Sequence, residues 1–104
     1  KGDAEAALEL FGRVASDDPE NVEAQVGRGL CYLNLEQWAP AEASFQAALR
    51  LEPDQADALL GLAETHRFQG KTGEAISGYE RYLARHPDGE DAEVAKNALS
   101  ELRK

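Results

Sequence analysis

The chain has 104 residues, 42% apolar and 30% charged, enough for one small folded unit. No window approaches the roughly 20 apolar residues of a membrane-spanning helix, and no charged-then-apolar leader marks a signal peptide, so a soluble segment is expected. Eleven Lys and Arg against 20 Asp and Glu give a formal charge of −9, which repels phosphate backbones and argues against nucleic acid as a partner.

That charge is uneven, with 5 basic and 13 acidic residues in 1–70 against 6 and 7 in 71–104. A steered partner would therefore be basic and meet the first two thirds, although a soluble helical surface accounts for the same charge. Cys31 is the only cysteine, which precludes an internal disulfide and leaves the compartment open between cytoplasm and periplasm. Lys1 in place of an initiator Met leaves room for an upstream region.

In chain order, Ala4, Ala7, Leu8, Phe11 and Val14 recur at helical spacing and predict a helix over 3–16. Pro19 then breaks the run, because the residue before a proline is pushed out of the helical region. Asn21 is a candidate cap for a helix over 21–35. Ala41, Phe45 and Ala48, at i, i+4 and i+7, lie on one face of a helix over 38–51, where Pro40 is tolerated in the first turn. Pro53 follows, and Asp54 is the candidate cap for a helix over 55–69. Gly70 can close that helix in the left-handed region, and a fifth helix is predicted over 72–85. After Pro87, Asp88 is the candidate cap for a last helix over 89–103. β-Branched residues are few and strict alternation never persists, so no strand is predicted.

The breaks are periodic. Pro19, Pro53 and Pro87 are spaced by 34 residues, as are Ala7, Ala41 and Ala75, and Phe11, Phe45 and Tyr79. Three landmarks sharing one period mark an internal repeat whose unit is a pair of antiparallel helices.

This unit resembles the tetratricopeptide repeat family. The family's small eighth and twentieth positions correspond to Gly29 and Ala41, then Ala63 and Ala75; its aromatic twenty-fourth to Phe45 and Tyr79; its closing proline to Pro53 and Pro87. The resemblance covers the whole chain: 1–20 as the second helix of a truncated repeat, 21–54 and 55–88 as full repeats, and 89–104 as a closing first helix. Gln25 and Leu59 stand where the family usually has Trp, and Arg28 stands where it usually has Leu. The fold implied is all-α, a right-handed α-α superhelix of six antiparallel helices.

Several motifs carry less than they suggest. Gly27-Arg28-Gly29 lacks the third glycine of a phosphate loop and lies inside a predicted helix, so close helix packing is the reading. His66 and His86 are 20 residues apart with no cysteine pair, which argues against a metal site. His66 is expected in a half-buried aromatic slot, His86 at a surface turn, Trp38 packed at a helix turn, and Cys31 in the core. No carboxylate interrupts an apolar run as a catalytic acid with a raised pKa would, so neither enzymatic activity nor a cofactor is expected.

The resemblance implies a concave groove lined by the first helices of successive repeats. Its lining is expected from Glu23, Val26, Leu30, Leu33 and Asn34, then Leu60, Glu64, Arg67 and Phe68, with Gly27, Asp57, Gly61, Asp91, Val94, Ala98 and Glu101 at matching positions. Val26, Leu30 and Leu60 are open to two readings, groove lining or packing between helices. The expected ligand is a protein or peptide segment with apolar anchors and Lys or Arg. The Lys, Arg and Asn with which the family grips acidic chaperone tails are absent, their positions holding Val26, Leu30, Gly27, Asp57 and Gly61. Leu8, Leu10, Phe11 and Val14 are expected to lack the partner helix that would normally precede them. Self-association as a homodimer through 4–14 is therefore an alternative, as is a place beside a catalytic domain. The last helix is expected to put Val94, Ala95, Ala98, Leu99 and Leu102 on its packed side and Lys96, Asn97, Glu101 and Arg103 toward water.

Overall fold

The computed structural model describes residues 2–104 and contains α1 (Gly2–Asp17), α2 (Val22–Asn34), α3 (Trp38–Leu51), α4 (Ala56–Phe68), α5 (Thr72–Arg85) and α6 (Ala92–Leu102). The period reappears in the boundaries. Helices α1, α3 and α5 end 34 residues apart, as do α2 and α4. Each helix packs against the next, and α2 also packs directly against α4, with no comparable packing between α1 and α3. Helices α2 and α4 therefore lie side by side on the inner side of the right-handed superhelix, which measures 41 × 25 × 21 Å.

Side-chain caps mark the starts of α2 and α4, whereas α3, α5 and α6 start without one. Asn21 Oδ1 accepts from the Ala24 N–H at 3.0 Å, as its sequence position predicts. The next start departs from expectation, because Gln55 Oε1 accepts from the Ala58 N–H at 2.7 Å while Asp54 turns away to pair with Arg85 Nε at 3.1 Å. Asp88 caps nothing. Instead α6 starts at Ala92, and the Asp91 N–H donates to the buried Tyr82 hydroxyl at 3.2 Å. His86 is also drawn in: its Nε2 lies 2.7 Å from the Asp54 carbonyl oxygen and its ring tilts over Tyr82.

The inner turns carry a second periodic feature. Gly70 has φ +79°, and Glu36, 34 residues earlier, takes the same left-handed conformation with φ 60°. Gly70 adopts it without steric cost, whereas Glu36 does so against its Cβ.

Ring-to-glycine contacts hold the layers together. Phe45, fully buried on α3, sits between Gly29 on α2 and Gly61 on α4; a Cβ on Gly29 would lie 2.6 Å from the ring. One period earlier, a Cβ on Gly27 would meet Phe11 at 2.6 Å. One period later, Tyr79 is enclosed in a cluster with Ala63, Ala75 and Ala95. Large rings on odd helices meet small residues on even ones, which brings the backbones close without leaving voids. Gly27 and Gly29 are thus packing residues. Leu49 touches both core clusters and joins the repeats.

The remaining aromatic and sulfur-bearing residues follow from this packing. Cys31 is buried, and burial pushes its thiol pKa up. Trp38 packs at the turn, and half-buried His66 lies 3.5 Å from Glu42 across the α3–α4 junction.

Candidate functional site

The inner wall is built from one face each of α2, α4 and α6. Leu30 is 41% exposed on α2 and Val94 47% exposed on α6, while Glu23, Asn34, Asp57, Arg67 and Glu101 are also exposed. Glu64 lies half-buried between them. Burial pushes its carboxyl pKa up; the negative charge of Asp91 adds to the shift and the Arg67 guanidinium opposes it. Arg67, Val94, Asn97, Ala98 and Glu101 line a hollow of ≈ 250 Å³ between α4 and α6. The Tyr79 hydroxyl, on α5, is buried without a hydrogen-bond partner; burial raises its pKa, and the neighbouring Arg67 limits the rise.

The structure divides the expected lining into two groups. Val26 is 6% exposed and belongs to the cluster around Phe45, which removes it from the groove surface. Leu33 and Leu60 are partly buried against the core clusters, so each offers only an edge. Phe68 is 61% exposed, with one face of its ring stacked on Trp38 at a centroid distance of 5.1 Å and an interplanar angle of 11°. Val94 corrects the reading of the last helix, because it faces water beside the hollow while Ala95, Ala98 and Leu99 make the packed side. Asn97 is the lining residue the sequence reading omitted. Its position, three residues after Val94 on the same helix, was the available signal.

Two tetratricopeptide-repeat family models match, one over residues 32–90 and one over residues 1–47. The chain belongs to the tetratricopeptide repeat family. Rat (Rattus norvegicus) sperm-associated antigen 1 is 33% identical over 103 residues, 99% of this chain and 11% of that protein. An Arabidopsis thaliana protein described as a probable UDP-N-acetylglucosamine–peptide N-acetylglucosaminyltransferase, SPINDLY, is 34% identical over 77 residues, 74% of this chain and 8% of that protein. The chain thus spans about a tenth of the length of these curated relatives. Among solved structures, the second tetratricopeptide domain of human RPAP3, in complex with the HSP70 peptide SGPTIEEVD, superposes with a TM-score of 0.88. That domain is 26% identical, and the match covers 99% of this chain and 83% of the other.

Within this tetratricopeptide chain, no described helix is long and apolar enough to cross a membrane. Among the described residues no group of three His, Cys, Asp or Glu side chains is placed to hold a metal ion.

Proposed function

We propose that this tetratricopeptide chain is a non-catalytic binding module that takes a peptide or protein segment along its inner wall. The observation carrying the reading is the pairing of exposed Leu30 and Val94 with Glu23, Asp57, Glu64 and Glu101 on the same three helices and Asp91 at the start of α6. In this reading Leu30 and Val94 supply the apolar anchors, and the carboxylates select a partner bearing Lys or Arg. The RPAP3 domain holds a peptide ending in EEVD, whereas the segment proposed here carries the opposite charge. In this reading 21–54 and 55–88 are the full repeats, 1–20 supplies a second helix and 89–104 a closing first helix. The stacked helices form a preorganised surface, so the ordering cost of binding falls mainly on the ligand.

Selection from a random peptide library tests this directly. The expected consensus combines Lys or Arg with Leu, Ile or Phe; a consensus ending in acidic residues would contradict it. A second reading, a homodimer through 4–14, is favoured by one observation. Leu10 and Val14 on α1 are 61% and 41% exposed, while Ser44, one period after Leu10, is 5% exposed and Ala48, one period after Val14, is fully covered.

A further inference from the structure

A second hollow lies between α2 and α3, on the side of α2 away from the inner wall. It has a volume of ≈ 220 Å³ and is lined by Gln25, Arg28 and Tyr32 from one helix and Pro40, Ala43, Ser44 and Ala47 from the other. One period later the positions of Gln25 and Arg28 hold Leu59, which is in the core, and Leu62, which packs against it. The fold is therefore satisfied by an apolar pair here, yet this repeat places an amide and a guanidinium in the gap.

The guanidinium is only partly satisfied. Arg28 Nη1 donates to Gln25 Oε1 at 3.5 Å, while Nε–H is buried with no partner. None of the 20 Asp and Glu side chains lines this hollow, while on its other side Arg28 borders a hollow whose lining includes Glu9 and Asp17. The Nε edge of an arginine is a fork that matches the two oxygens of a carboxylate, and a buried N–H left unpaired gains most from such an acceptor. Ser44 adds a hydroxyl donor, and Pro40, Ala43 and Ala47 supply an apolar wall for a short stem. The volume suits one side chain and is below that of a typical small-molecule site.

We propose that this hollow is a carboxylate slot on the outer face, independent of the inner groove. It takes one acidic group on a short apolar stem, from an Asp or Glu side chain or a chain terminus of a protein partner. Arg28 grips the carboxylate through its guanidinium, Gln25 holds that group in place, and Ser44 donates to the second oxygen.

The test follows the Arg28 Nε–H signal and the Gln25 and Ser44 backbone amides by NMR during titration. The probes are N-acetyl-leucine, N-acetyl-glutamic acid α-amide, and the neutral N-acetyl-leucinamide. At least one acid is expected to shift these signals saturably in the millimolar range, the tighter acid identifying the source, while the neutral amide leaves them unmoved. Arg28→Lys keeps the charge but loses the fork and is expected to weaken binding by about fivefold or more. Arg28→Leu copies Leu62, is expected to fold with a raised melting temperature, and should abolish the response of the Gln25 and Ser44 amides. Any of three results overturns the slot: no shift from either acid, an equal shift from the neutral amide, or amide shifts that persist in folded Arg28→Leu.

Discussion

Replacing Gly29 with alanine isolates the contact that draws the helices together. In an open helix position alanine is favoured over glycine by about 1 kcal/mol, and Gly12, with nothing within 4 Å of its would-be Cβ, supplies that reference. At Gly29 the same methyl group would lie 2.6 Å from Phe45 Cε1, roughly 1 Å inside normal contact. The ring cannot withdraw, because Gly61 backs its other side and Phe45 is fully buried. Overpacking of this kind costs about 1–3 kcal/mol, which cancels or exceeds the propensity gain. Gly29→Ala is therefore expected to fall about 1–3 kcal/mol below Gly12→Ala, a melting-temperature difference of at least about 4 °C. Thermal and urea denaturation followed by circular dichroism measures both. A Phe45→Leu background should shrink the Gly29→Ala penalty, since the two residues share one contact. If Gly29→Ala stabilises as much as Gly12→Ala, the ring-between-glycines account of the core is wrong.

Three further outcomes follow from the structure. Glu36→Gly replaces the left-handed residue with the type found at Gly70 and is expected to stabilise by about 0.5–1 kcal/mol in urea denaturation, because relief of about 1–2 kcal/mol of strain exceeds about 0.5–1 kcal/mol of added chain entropy. The raised pKa of Glu64 makes its ionised form unfavourable in the free protein, so lowering the pH through that pKa relieves a folding penalty. A cationic ligand favours the ionised form. Affinity for it should therefore be full above the raised pKa and fall as pH drops through it, a dependence that calorimetry should find removed in Glu64→Gln. If α1 pairs copies, sedimentation should show concentration-dependent dimers that Leu10→Glu abolishes; a monomer at every concentration rules that pairing out.

Much of the fold was legible because two simple signals agreed. The proline and alanine spacing located the helix ends within a residue or two for five helices, and the ring-and-glycine alternation anticipated which faces meet. The exceptions were local. Asp54 lost its cap to Gln55 because Arg85, one repeat later, attracts its carboxylate, and α6 starts late because Tyr82 supplies the acceptor for Asp91. Both partners are about 30 or fewer residues away in sequence but on another helix, where local patterns do not reach.

The inner wall was legible by register but not by exposure. Periodicity placed Val26 and Leu30 on the same face, and only packing shows that one is buried while the other meets water. Phe68 has the register of a groove residue, and only the structure shows that one face of its ring stacks on Trp38. The sequence marked Gln25 and Arg28 only as departures from large apolar residues; the outer hollow between them and α3 emerged from geometry alone.

The central claim, that the inner wall binds a basic, apolar-anchored segment, is tested most directly by measuring peptide affinity for Leu30→Glu beside Gln46→Glu, a change on an exposed outer position of α3. The account predicts at least about a tenfold loss for Leu30→Glu, equivalent to about 1.4 kcal/mol, and no change for Gln46→Glu. Unaltered affinity in folded Leu30→Glu, or a loss confined to Gln46→Glu, would contradict it.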